Sequence, residues 1–262
     1  MEIASLSTKK GRMTMNVLLV GESWMKHTIH VKGFDSFTTS EYEEGASWFQ
    51  KAMAAGDIVL DYVRAHEIEE KFPDTLEKLK QYDAVLFSDI GSNTFLLSSQ
   101  TFNHSERSVN RLELIEKYTA SGGGFGMIGG YLSFQGIDAK AKFKGTPIEE
   151  ILPVTLETGD DRVEMPEGRI PQIKKLHSII QGMPEEWPAF LGYNKVNPKQ
   201  ESDVIAEIGR NRDPFLVTGE YKKGRTLAFT SDMAPHWGPP AFVEWEYYQR
   251  FWQQLVNWLG KK

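Results

Sequence analysis

Ser121 to Gly136 reads SGGGFGMIGGYLSFQG, and the reading of this stretch decides the fold. Gly122, Gly123 and Gly124 make a turn, Phe125 to Ile128 a short buried strand, and Gly129-Gly130 a second tight turn. Tyr131 to Phe134 is predicted to open a helix or a single helical turn. A sharp turn leaving a strand is where many α/β enzymes mount a nucleophile, because it lifts one side chain above the sheet edge. Here the top of the turn is glycine, which has nothing to attack with. The elbow is present and its usual chemistry is missing.

Working outward, apolar runs alternate with helical patterns. Asn16 to Val20 is a buried strand, Glu41 to Ala55 is predicted helical, and Ile58 to Val63 is a second strand. A short helix follows with Asp74 as its N-cap. Asp83 to Phe87 is the third strand, and Val109 to Ala120 is a helix that delivers the chain into the glycine turn. Strands at 204–208, 215–221 and 225–230 come later, with a hairpin turn around Lys222-Lys223, and Phe242 to Leu259 reads as one amphipathic helix. Between 146 and 192, six prolines and short alternating runs predict a β-rich insertion or sheet extension. The pattern predicts an α/β fold: a doubly wound, mostly parallel sheet with helices on both faces. Residues 1–15 are expected to be a disordered tail ahead of a single domain over 16–262.

Bulk properties exclude several functions. The chain has 262 residues, a net charge of −6 and 40% hydrophobic residues, with no signal-like leader and no run long enough to span a bilayer. The expectation is a cytoplasmic protein without a nucleic-acid or membrane partner. The absence of cysteine removes disulfides, thiolate metal sites and a thiol nucleophile together. The triple glycine lacks the Lys-Ser/Thr of a phosphate loop, and Ser133 is not framed as a nucleophilic serine. No metal and no cofactor are expected.

In doubly wound sheets, ligands bind beyond the carboxyl ends of the strands. Four polar or glycine-rich loops should meet there: Glu22, Ser23 and Trp24, with His27 and His30 close behind in a loop; Asp89, Gly91 and Asn93; Gly129, Gly130 and Tyr131; and Asp232, His236 and Trp237. Each has a plainer alternative. Glu22 and Asp89 are equally able to cap helices, and His236, between Pro235 and Trp237, is as readily a packed residue as a general base.

The chain resembles a family of bacterial glutamine amidotransferase-like proteins with the class I glutamine amidotransferase-like fold. The resemblance is carried by VLLVGESW ending at Trp24, TIHVKGFDSF at 28–37, SDIGSNTFLL at 88–97 and GGGFGMIGGYLSFQGI at 122–137. It continues in ILPV with DDRVE, WPAFLGYN at 187–194 and GRTLAFTSDMAPHWGPPAF at 224–242. It implies a flavodoxin-like sandwich over nearly the whole chain. Class I amidotransferases place a Cys at the elbow, backed by a late His and Glu. Here the elbow falls on Gly129 or Gly130, the late His is His236, and Gly238 stands where the acid belongs. Loss of a triad nucleophile removes orders of magnitude in rate, so glutaminase chemistry by that route is not expected. The GGGF and GRTLAF segments also resemble trehalose-utilisation type proteins, which implies a carbohydrate-linked role.

Three functions remain open. The elbow cleft binds a small polar ligand, with the glycine amides as an anion-binding nest. Alternatively the same cleft is catalytic, as a carbohydrate-linked hydrolase or isomerase using His236 with Glu22 or Asp89. The third is an assembly module with a vestigial site. A homo-oligomer is compatible with all three.

Overall fold

The computed structural model describes residues 14–261. In chain order its strands are β1 (Met15–Gly21), β2 (Ser23–Lys32), β3 (Asp35–Glu44), β4 (Ile58–Val63), β5 (Ala84–Ser88), β6 (Gly124–Ile128) and β7 (Val154–Leu156). They continue with β8 (Arg162–Arg169), β9 (Gln172–Ile173), β10 (Phe190–Asn194), β11 (Val196–Pro198), β12 (Asp203–Ile208), β13 (Asp213–Tyr221) and β14 (Gly224–Phe229). Eight of them form the central sheet in the order β4-β1-β5-β6-β14-β13-β12-β9. The first five run parallel, and β13, β12 and β9 extend the sheet through antiparallel pairs. This is a mostly parallel α/β sheet of the flavodoxin-like kind.

Period-two alternation splits the strands between two cores. Val17, Leu19, Ala84 and Leu86 face one side, while Leu18, Val20, Val85 and Phe87 face the other. The first face is covered by the helices Ser47–Ala54 and Tyr248–Leu259; the latter buries Phe251, Trp252, Leu255, Val256 and Leu259 at helical spacing. The second is covered chiefly by the helix Arg111–Ser121, which buries Leu112, Ile115 and Tyr118. That helix starts where the Asn110 side chain accepts the Leu112 and Glu113 amides, and it stops at Gly122, whose φ is 122°. Each large apolar side chain buried this way contributes roughly 1.5–3 kcal/mol.

Several expectations change. Of the expected disordered tail, 1–13 lie outside the described residues, and Met15 opens β1 and is buried. The helix expected from Glu41 begins only at Ser47, because 35–44 pairs residue for residue with 23–32 as an antiparallel hairpin. His27 and His30 therefore lie on a strand, not in a loop. Thr75, not Asp74, caps the short helix Leu76–Leu79, and Asp74 instead pairs with Lys78. Tyr131 to Phe134 forms turns without continuing into a helix. The last helix breaks into Pro240–Val243 and Tyr248–Leu259, with Trp245 between them tilted onto Trp187 at 5.2 Å. The β-rich segment forms two small antiparallel sheets, β8 with β10 and β7 with β11, and supplies the edge strand β9. Its expected end at 192 falls inside β10.

Candidate functional site

Parallel neighbours β1, β5, β6 and β14 end together, so the residues just past each end share one edge of the sheet. Glu22 follows β1 and Asp89 follows β5. Both take a left-handed backbone, with φ of 48° and 43°, which non-glycine residues rarely adopt and which recurs at functional sites. Ser88 Oγ donates to Glu22 Oε1 at 2.5 Å, and the Glu22 main chain is held by Ser88 O and by the Gly45 amide. Asp232 lies just beyond β14, buried, with its Oδ1 accepting the Ala234 amide at 3.1 Å.

The three acids sense one another. Burial pushes the Glu22 carboxyl up to about 8, helped by the Asp89 charge and opposed by the Ser88 hydroxyl. Burial also raises Asp232 well above the usual carboxylate range, and the Glu22 and Asp89 charges add to it. Asp89 is raised by burial too, but the Leu132 amide and the His236 charge hold it back. The site therefore holds acidic protons at neutral pH. Among the described residues, no three His, Asp or Glu side chains are placed to hold a metal ion.

Three amides of the elbow are already occupied. Gly129 N–H donates to Phe229 O at 2.8 Å, and Gly130 N–H to Asn194 Oδ1 at 3.0 Å. Leu132 N–H donates to Asp89 Oδ1 at 2.7 Å. The anion-binding nest expected at Gly129-Gly130 is thus filled by the protein's own oxygens. Asn194 is fixed in turn by donating to Asp161 Oδ1 at 2.8 Å, and Asp161 accepts the Gln135 and Gly136 amides at 2.9 Å each. Burial raises Asp161 to about 6 against those three hydrogen bonds. Ser133 is structural: its hydroxyl donates to Ile128 O and accepts the Asp89 amide.

The rim is aromatic. Tyr131 lies 4.3 Å from the exposed His236 ring and 5.4 Å from buried Trp237. Glu164 of β8 accepts the Tyr131 hydroxyl at 3.0 Å and the Trp237 indole N–H at 2.9 Å, and Arg162 covers the other side of Tyr131 at 4.7 Å. The β-rich segment therefore pins the rim while Asn194 and Asp161 pin the elbow.

Of the residues picked from sequence, Glu22, Asp89, Gly129, Gly130, Tyr131, Asp232, His236 and Trp237 share this edge. Others lie apart. Ser23 is buried and accepts the Ala65 amide, and Trp24 donates to Glu43 at the foot of the hairpin. His30 is stacked on Phe37 at 4.4 Å far out on β2. Gly91 packs its backbone on Ala141, and Asn93 is exposed at the start of the helix Asn93–Leu96. Asp161, Glu164 and Asn194 were not singled out as site residues, although DDRVE and WPAFLGYN stood out as unusual segments.

Comparisons with known proteins bear on the family and the fold. A family profile described as "Putative glutamine amidotransferase" matches residues 16–261. No curated protein sequence matches the chain. The Salmonella typhimurium cytoplasmic protein STM3548 is similar at 46% identity with a TM-score of 0.89, over 93% of this chain and 98% of its own. The cytoplasmic protein STM1381 of Salmonella typhimurium LT2 is 49% identical with a TM-score of 0.90, over 94% and 99%. A thua-like protein of Bacteroides uniformis shares the fold at 12% identity and a TM-score of 0.55, over 95% of each chain. No helix among the described residues is long and apolar enough to cross a membrane. With the family profile covering nearly its full length, the chain belongs to the putative glutamine amidotransferase family, and it does so without a single cysteine.

Proposed function

We propose that this edge of the sheet binds a small, uncharged, hydroxyl-rich ligand of the sugar or polyol class and does not hydrolyse glutamine. The observation that carries this reading is the filling of the elbow amides by Asn194 Oδ1 and Asp89 Oδ1. An oxyanion needs free N–H donors at the elbow, and those of Gly129, Gly130 and Leu132 are taken. Hydroxyl groups have no such requirement. A protonated carboxyl both donates and accepts, so Glu22 and Asp232 can satisfy hydroxyls in either sense. The paired Tyr131 and His236 rings, 4.3 Å apart, supply an aromatic rim against which ring carbons can pack.

A second reading treats the cleft as catalytic. It is favoured by the placing of Glu22, whose carboxyl burial raises to about 8, near Asp89, whose own rise is opposed by the Leu132 amide and His236. Glu22 would donate a proton, and Asp89 or His236 would take one.

The test is a thermal-shift screen of neutral sugars and polyols beside phosphates and carboxylates, with ammonia release from glutamine assayed in parallel. Stabilisation by neutral polyhydroxy compounds without ammonia release is the expected result. Stabilisation by anions alone, or measurable glutaminase activity, overturns the proposal. Turnover of a stabilising sugar would select the catalytic reading.

A further inference from the structure

The hairpin β2–β3 has no explanation in the cleft. Its two ten-residue strands pair without interruption from Ser23 opposite Glu44 to Lys32 opposite Asp35, turning at Gly33-Phe34. Among the described residues it meets the body near its foot, through Ser23 accepting the Ala65 amide, Tyr42 edge-on to His66 and Glu44 on Arg64. Beyond that it stands in solvent. A lone two-stranded ribbon is marginally stable in water and needs a surface to lie on.

Its two faces differ. Cross-strand register puts Trp24, Lys26, Thr28, His30 and Lys32 on one face with Asp35, Phe37, Thr39, Glu41 and Glu43. That face satisfies itself: Lys26 pairs with Glu43 and with Glu41, Trp24 donates to Glu43, and Phe37 lies between His30 and Lys32. The opposite face carries Met25, His27, Ile29 and Val31 opposite Tyr42, Ser40, Thr38 and Ser36, with His27 Nδ1 and Ser40 Oγ hydrogen-bonded to each other at 2.8 Å. It has no Lys, Arg, Asp or Glu between Met25 and Tyr42, and Ile29 and Val31 are 70% and 71% exposed. The polar face is complete, while on the other face Met25, Ile29 and Val31 are left uncovered around the His27–Ser40 pair.

We infer that this second face of the arm is a self-association surface, and that the Met25, Ile29 and Val31 stripe packs against the same stripe of a second copy of this chain. Charge chooses the occupant. A charged partner would lose hydration against a face with no Lys, Arg, Asp or Glu beside Met25, Ile29 and Val31, whereas a second copy brings the same stripe and leaves the Lys26–Glu43 pair outside. An anionic lipid surface is disfavoured, since Asp35, Glu41, Glu43 and Glu44 outnumber Lys26 and Lys32 on the arm. A two-fold axis laying one stripe on the other makes the self-complementary contact that closed dimers use. Two ribbons about 33 Å long and about 10 Å wide, stacked face to face, bury on the order of 1,000 Å² in total, near the lower bound of specific interfaces. The arm starts at the residue after Glu22, so such pairing would brace the foot of the cleft from outside.

Sedimentation and light scattering on the full chain at tens-of-micromolar concentration decide the point. The expected result is a species of twice the 29.8 kDa chain mass. Joint Ile29→Lys and Val31→Lys substitution should weaken self-association at least about tenfold, leaving far-UV circular dichroism and melting temperature of the body unchanged. Thr28→Lys, which adds the same charge to the opposite face, should leave the dimer intact. A variant in which a tight turn joins Ser23 directly to Glu44 should be monomeric, and it decides the question if the double-lysine protein fails to fold. A monomeric wild-type chain, or a dimer that survives either loss of the stripe, overturns the inference.

Discussion

Asp89 and Gly130 exclude a side chain between them: a Cβ on Gly130 would come within 2.8 Å of Asp89 Oδ1 and 2.9 Å of Asp89 Cβ. The φ of Gly130, 149°, adds its own penalty for any other residue. Neighbouring Gly129 is closed still more firmly, since a Cβ there would lie 2.3 Å from the Thr230 carbonyl oxygen. The elbow is therefore not an amidotransferase site lacking only its sulfur. The acid of the neighbouring strand has been packed into the place a nucleophile would occupy.

Gly130→Cys should accordingly fail to create a glutaminase. We expect it to lose about 1–3 kcal/mol of stability, read by chemical denaturation, with no ammonia released. Combining it with Asp89→Gly should recover part of that loss, because the contact is mutual. A stable, active single mutant would show that the elbow is open after all.

The pH dependence of stability should carry the signature of Glu22. Its carboxyl titrates near 8 in the folded chain against 4.5 for the free group. The folded state therefore keeps a proton that the unfolded state releases, and this contribution is complete below about pH 4.5 and drains away as pH rises towards 8. Asp232, Asp89 and Asp161 are raised in the same sense. Melting temperature should fall from pH 5 to pH 9 in the wild type, and Glu22→Gln should flatten that fall, gaining most at the alkaline end. Parallel curves for the two proteins would refute the assignment.

Asn194 joins the elbow to the β-rich segment, accepting from Gly130 N–H and donating to Asp161. Asn194→Ala strands a buried amide and removes one support of a buried carboxylate, which should cost about 1–3 kcal/mol. Asn197→Ala, three residues on and with a side chain that donates at the surface to Glu157, should stay within about 0.5 kcal/mol of wild type. Equal effects at the two positions would deny Asn194 its role.

His236 is exposed and its ring rests on Tyr131. His236→Ala should change stability by less than about 0.5 kcal/mol and weaken binding of any sugar or polyol found by the thermal-shift screen. Unfolding of this variant would make His236 a packing residue, the plainer alternative set out from sequence.

Much of the scaffold is legible in the sequence. The runs at Val17 to Val20, Ala84 to Phe87 and Phe125 to Ile128 are short, apolar and followed by glycine or polar residues, so strand and strand end could both be placed. The hairpin was missed because Tyr42, Phe49 and Met53 fall at helical spacing across an element boundary, and this obscured the Thr- and Ser-rich alternation before it. Placing His30 in the site followed from that error, since a residue in a short loop stays near its strand end and one on an outgoing strand does not. The site acids were chosen by strand order, and so Asp161 and Asn194, which reach the elbow from a different layer, carried no signal.

From the sequence alone came the alternating scaffold and the glycine elbow, and with them the impossibility of a thiol nucleophile, because these depend on local spacing and on which atoms the chain contains. Tertiary structure alone decided what fills the elbow. Whether an amide is free or occupied depends on oxygens from Asp89 and Asn194, which lie 41 residues before and 64 residues after Gly130 in the chain, and only packing brings such groups within hydrogen-bond reach.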